Sequence, residues 1–417
     1  MIKFLKLAVV VSCITSCVNS NKEHSKEFIQ LQNKLTEKLT VVSKSVSVNG
    51  FGVASVNENG VLYQNGFGIA NVETNEKYTE NTIQNIASVS KTFIGIAILK
   101  AQELGKLKLD DPINNYLPFK ILNPKYKETP ITIRHLVTHT SSINDNEEYL
   151  YRAWVLFDTV NLEHNLKIDI GECKFSAPST EVSMEDFLKN VLLQNGKWFK
   201  PNTFTDKKPG EIFNYSNMGA TLAALVLEKA TGDKFDAFTE KYILNPLKME
   251  STGWGLRSID IKKHSRLYIN KTTPYPFYIG VTYPDGSIIT SSNDMSKYVA
   301  ELMKGYFGNG TLLTKDSYKE YFTPQLKAEN FIDRDTSQYS DEYNMGITMG
   351  FGSTGNFGHT GGDPGMFSII WFDKDKKIGT YYIVNTDMEG KESVKTQQAI
   401  RTLLDEYTNK LDKLSRK

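Results

Sequence analysis

The chain has 417 residues, 49 basic against 48 acidic side chains, and a formal charge of +1. With 40% hydrophobic and 23% charged residues it has an ordinary globular composition, with enough apolar material for a large core. No basic stripe or like-charge block is present, which argues against nucleic acid as a partner.

In chain order, Lys3 and Lys6 precede a short apolar run at 7–11, too short to span a bilayer. Ile14-Thr15-Ser16-Cys17 follows and resembles a bacterial lipobox. The expectation is a signal peptide over 1–16, a lipidated Cys17 and a polar tether over 17–30, which places the protein in the bacterial cell envelope, anchored to a membrane. Cys13 is the less favoured alternative. Cys173 is then the one remaining cysteine, read as structural rather than reactive, and no intramolecular disulfide is expected.

Residues 27–42 carry apolar positions at helical spacing. Residues 46–54 and 61–70 read as strands, with Asn59-Gly60 as a hairpin turn between them. A helix is predicted from about Ser88 to Leu104, stopping near Gly105. Thr132 caps a short helix over 133–138, and Ser183 with Asp186 starts another through Leu193. Residues 217–231 form a third, ended by Gly232. Residues 366–372 and 379–385 read as strands, and 391–411 as an amphipathic helix. Residues 155–207 and 322–348 read as insertions. The economical arrangement is an antiparallel sheet built from both chain ends, covered by the terminal helices, with a mainly helical lobe over about 110–280 and one domain over 31–413. A substrate cleft between the lobes is the expected site.

Ser88-Val89-Ser90-Lys91 puts a hydroxyl and an amine three residues apart at a helix start. A serine nucleophile needs a base, a proton shuttle and oxyanion donors. Lys91 is the candidate base. The pattern Y-x-N occurs at Tyr63, Tyr215, Tyr268 and Tyr407, but only Tyr215 follows a Pro-Gly turn and leads into an apolar helix. Tyr215 is therefore the candidate shuttle, with Asn217 to bind a substrate amide and orient Lys91. Gly358-His359-Thr360-Gly361-Gly362 precedes the strand that starts near Met366. Its glycines allow close approach to a substrate, and the N–H groups of Gly362 and Ser88 are candidate oxyanion donors. His135 and His139 are spaced i, i+4 without a third ligand, so no metal site is expected. His24, His164 and His264 read as surface residues. Trp154, Trp198 and Trp254 are candidates for cleft wall or core.

The ordered motifs S-x-x-K, Y-S-N and H-T-G resemble the serine β-lactamase-related family, which includes class C β-lactamases, DD-peptidases, D-aminopeptidases and related esterases. Residues 131–141, 209–232, 243–252 and 284–291 carry the same resemblance, which spans about 45–390. It implies the β-lactamase/transpeptidase-like α/β (α+β) fold, no cofactor, and an acyl-enzyme on Ser88. Lys91 would be its base, Tyr215 its proton shuttle, and Asn217, His359, Thr360, Gly361 and Gly362 would line the substrate site. Two departures stand out. His359 replaces the lysine of Lys-Thr-Gly, and Ser142 stands where the family often has glycine after His-Thr-Ser. The first points away from carboxylate-bearing β-lactams and toward peptides or esters. A class C-like β-lactamase is the alternative enzyme, and a non-catalytic lipoprotein that binds peptidoglycan peptides is the alternative of another class. Oligomeric state is left open.

Overall fold

The computed structural model describes residues 25–331, 344–351 and 356–416. The expected signal segment, Cys17 and His24 lie outside them. The strands are β1 (Gly50–Asn57), β2 (Gly60–Asn71), β3 (Glu76–Lys77), β4 (Ile83–Asn85), β5 (Trp154–Leu156), β6 (Phe175–Ser176), β7 (Gly253–Trp254), β8 (Tyr278–Gly280), β9 (Ile288–Ser291), β10 (Asn344–Met345), β11 (Gly350–Phe351), β12 (Asn356–Asp363), β13 (Met366–Asp373) and β14 (Ile378–Val384). The main sheet runs β10-β11-β12-β13-β14-β1-β2-β3. Phe51 pairs with Val384 and Phe367 pairs with the same residue from the other side, so the two ends of the chain meet in its middle. The β1–β2 turn forms because the Asn57 side-chain oxygen accepts from the N–H groups of Asn59 and Gly60, at 2.8 and 3.1 Å. Gly60 has φ 138°, a conformation that suits glycine.

The helices used below are α1 (Lys26–Val42), α2 (Lys91–Glu103), α3 (Ile133–Val137), α4 (Met184–Leu192), α5 (Asn217–Thr231), α6 (Ser292–Tyr306) and α7 (Gly390–Ser415). One face of the sheet is covered by α1 and α7. Phe28, Leu35 and Leu39 pack there with Val53, Tyr382, Leu404 and Leu411. The other face packs on α2 and α6, where Phe93 stacks on Tyr298 at 3.8 Å between ring centroids. Burying such a ring contributes about 1.5–3 kcal/mol. Helix α2 is buried from Lys91 to Leu99, which explains why its sequence is apolar all round. Helix α5 is equally enclosed, with Ser216 accepting from Gly219 N at its start and Gly232 at φ 83° at its end.

Two small sheets brace the region between the lobes. One runs β4-β9-β7 and the other β6-β5-β8. The second crosses the stretch expected as an insertion, which also holds α4. Two sequence expectations change. His264 is 6% exposed rather than at the surface: it bridges in parallel to Ile83, and its ring bonds Asn85 Oδ1 at 2.9 Å and the Ser265 carbonyl. Burial takes its pKa down to about 4, so it is neutral. The His-Thr-Gly segment precedes the strand from Met366 as expected, but it is itself part of a strand, β12, which pairs with β13 from Asn356↔Asp373 to Asp363↔Met366. Tyr63, Tyr268 and Tyr407, the other three Y-x-N tyrosines, are buried in the core.

Candidate active site

Ser88 sits in a 3₁₀ turn, Ala87–Ser90, that leads directly into α2. Three bonds fix this turn. Ile86 N donates to Ile288 O at 3.0 Å, Ile288 N donates to Ser90 Oγ at 3.2 Å, and Ser368 Oγ donates to Ile86 O at 2.6 Å. Ala87 holds φ 45°, a left-handed conformation that costs a non-glycine residue about 1–2 kcal/mol. The nucleophile's turn is thus strained and held from both sides.

One helical step on, Lys91 is fully buried. Its Nζ donates to Ser88 Oγ at 2.9 Å and to the Asp285 carbonyl at 2.6 Å. It lies 5.3 Å from the centre of the Tyr215 ring. Burial works against its charge, but Tyr215, Asp285 and Asp145 work for it, and the net displacement of its pKa is upward. The amine therefore holds its proton at rest. Its basic form arises when Lys91 gives up that proton.

Tyr215 is positioned by residues outside the expected set. The His139 ring stacks on it at 4.3 Å with 29° between planes, and His139 Nδ1 accepts from Ser216 N at 3.2 Å. That bond leaves the His139 proton on Nε2. Burial, then the charge of Lys91, hold His139 well below its usual pKa. Asp145 accepts from Ser216 Oγ, Asn217 N, Asn217 Nδ2 and Met218 N at 2.7–3.0 Å. A carboxylate is favourable at this position, the N-terminus of α5. It also takes one hydrogen of the Asn217 amide. The Lys91 amine is oriented by Ser88 and Asp285, not by Asn217 as expected from sequence. Asn217 still faces the same cavity as Ser88. Asp145 left no local signal, because its partners lie more than 70 residues away.

Strand β12 closes the other side. His359 is buried, its Nδ1 lies 2.6 Å from the Thr360 carbonyl, and its ring centre is 6.3 Å from that of Tyr215. Burial and then Lys91 lower its pKa to about 4, so it carries no charge at neutral pH. Thr360 is exposed on the alternate face. A Cβ on Gly361 would lie 2.4 Å from Ile86 O and 2.9 Å from Ser88 N, so only glycine lets the strand approach the nucleophile's backbone this closely. Gly362 lines the cavity with Ser88.

The cavity opens to solvent, spans about 590 Å³ and is walled by Tyr149, Trp154 and Tyr278. Trp154 is therefore a cleft wall, while Trp198 and Trp254 are core. Cys173 borders it too; burial, then Asp363 and Glu172, raise its thiol to about 11, which keeps it protonated and weakly nucleophilic. Ser142, at the position of the family's glycine, has φ 64°, and its hydroxyl accepts from Asn123 Nδ2 at 3.1 Å.

The sequence profile of the β-lactamase family matches residues 35–404. A putative penicillin-binding protein PbpX of Bacillus subtilis is 24% identical over 336 residues, covering 78% of this chain and 69% of that protein. Among solved structures, the octameric penicillin-binding protein homologue from Pyrococcus abyssi superposes with a TM-score of 0.68 at 24% identity, over 90% of this chain and 77% of that one. A β-lactamase/D-alanine carboxypeptidase from Yersinia pestis, complexed with citrate, gives 0.66 at 18% identity, over 92% and 99%. The match begins in the first terminal helix and ends in the last, over a body of the same shape, and so the chain belongs to the β-lactamase family.

Proposed function

We propose that this chain is a serine hydrolase that forms an acyl-enzyme on Ser88 and transfers the acyl group of an amide or ester to water. The carrying observation is the 2.9 Å contact between Lys91 Nζ and Ser88 Oγ, with Tyr215 against the same amine. Ser88 Oγ attacks the carbonyl carbon as its proton passes to the basic form of the Lys91–Tyr215 pair. The resulting oxyanion receives the N–H groups of Ser88 and Gly362. On collapse, the bond to the leaving amine or alkoxide breaks, and Tyr215 returns the proton to that atom. Water then repeats the sequence on the Ser88 ester, with Tyr215 taking its proton, and releases a carboxylic acid.

A neutral His359 supports a peptide, amide or ester substrate over a β-lactam, since it gives a substrate carboxylate no fixed positive partner. The Cys17 motif supports lipid anchoring in the cell envelope. A fluorophosphonate probe tests the chemistry. Labelling should map to Ser88 and vanish in Ser88→Ala; labelling that survives this substitution removes Ser88 as nucleophile.

A further inference from the structure

Lys91 meets both ends of Asp285. Its Nζ donates to the Asp285 carbonyl at 2.6 Å, and the Asp285 carboxylate supports its charge. Asp285 is 8% exposed and ends a 3₁₀ turn, Tyr283–Asp285, that runs into β9. Two other elements hold its side chain. Oδ2 accepts from Tyr149 Oη at 3.2 Å, in the helix Glu147–Arg152, and from Thr221 Oγ1 at 3.0 Å, in α5. These bonds fix the carboxyl and, through the same residue, the carbonyl that receives the amine. A buried ammonium, a buried carboxylate and two hydroxyl donors make a matched set.

The other groups that face this amine are Tyr215 ahead of α5, Asp145 in the loop before the helix Glu147–Arg152, His139 after α3, and His359 and Asp363 in β12. The two histidines are neutral, while Tyr215 and Asp145 support the ammonium form. Loss of solvent around Asp363, then Asp285, raise its carboxyl to about 8 despite Lys91. Burial raises Asp285 to about 6 against the pull of Lys91. We propose that Asp285 is a positioning residue for the general base: pinned by Tyr149 and Thr221, it holds the Lys91 amine beside Ser88 through its carbonyl and favours the ammonium form through its carboxylate. This rests on the acyl-enzyme reading of Ser88. An ionised Asp285 keeps a proton on Lys91 and so lowers the share of the basic form at a given pH. A protonated Asp285 releases that hold. Removing the carboxylate while keeping the carbonyl therefore makes Ser88 more reactive above about pH 6 and leaves it unchanged below. A residue with a structural task alone would lower the rate at every pH.

The test measures the rate of fluorophosphonate labelling of the full-length protein and of Asp285→Asn, which keeps the carbonyl and the side-chain shape, from about pH 5 to about pH 9. Thermal melting checks folding. The same pair is compared in an Asp363→Asn background, because that carboxyl ionises more readily once Asp285 is neutral. The expected ratio of variant to wild-type rate is near one below about pH 6 and rises to about threefold to tenfold above it. If Asp285→Asn does not fold, the wild-type profile decides. Its rate should climb by clearly less than about tenfold per pH unit around pH 6, where Asp285 ionises and takes hold of the amine. A uniform slope through that interval, or a folded variant that loses rate equally at every pH, overturns the role of Asp285 while a labelled Ser88 keeps the acyl-enzyme reading. Labelling that survives Ser88→Ala overturns that reading instead.

Discussion

Gly361 and Gly362 are neighbours on one strand, yet a methyl group should have opposite consequences at the two positions. At Gly361 the added Cβ meets Ile86 O at 2.4 Å, Ser368 Oγ at 2.7 Å and Ser88 N at 2.9 Å. Relief to an ordinary contact requires a displacement of about 1 Å between β12 and the nucleophile's turn. That turn cannot yield cheaply, since Ile86 and Ser90 hold bonds to both β9 and Ser368. A misplacement of this size costs on the order of 10²-fold in rate, and overpacking costs about 1–3 kcal/mol in stability. At Gly362 nothing lies within 4 Å of the added methyl. Gly362→Ala should therefore melt within about 0.5 kcal/mol of wild type. Ester turnover, the rate of fluorophosphonate labelling and thermal denaturation separate the two variants. A Gly361→Ala enzyme that labels at the wild-type rate would refute the close-approach argument.

Tyr215→Phe removes the largest of the groups that raise Lys91, leaving Asp285 and Asp145 against burial, which lowers it. A base works when deprotonated, so the rising limb of the pH–labelling profile should move to lower pH, while turnover falls about 10²-fold; an unmoved limb argues against the coupled pair. His359→Lys should add a cation for substrate carboxylates and raise benzylpenicillin labelling about tenfold, measured with a fluorescent penicillin; no gain would separate charge at this position from β-lactam recognition. Ser142→Gly should stay within about 1 kcal/mol of wild type, because relief at φ 64° offsets the lost Asn123 bond, and Asn123 keeps the Thr205 and Lys207 carbonyls. Ser142→Val should lose about 2 kcal/mol or more by denaturant titration, since a β-branched side chain is poorly accommodated there; equal stability of the two variants would count against strain. Cys17→Ala should abolish incorporation of labelled palmitate, and retained label would move the acceptor elsewhere.

How far the sequence could be read depended on whether the signal was local. Helix α5 was fully legible, because its apolar run and the Gly232 that ends it are both local signals. The Ser88–Lys91 contact was legible for the same reason, being a helical i, i+3 pair. The nearness of Tyr215 was suggested by context and by family resemblance, and no spacing rule could have placed it. Strand β12 left no strand signal of its own, because three of the residues from Gly358 to Gly362 are glycine and it holds a single large apolar residue, Phe357; it is a strand through its pairing with β13. His264 follows Lys262 and Lys263, which made it look solvated; a bridge to Ile83, far away in sequence, buries it. Asp145 and His139 act across the chain on Tyr215 and α5, and such partners emerge only in three dimensions.

The central strand β1 has one neighbour close by in sequence and another, β14, about 330 residues later. A ribosome adding roughly 5–20 residues per second needs on the order of 20–60 s to supply that second partner. For this interval the nascent chain presents an open, apolar strand edge, the kind of surface that aggregates. High contact order of this sort delays the sheet's closure until synthesis is nearly over. The barrier that protects the folded sheet from unfolding is therefore completed only as synthesis ends.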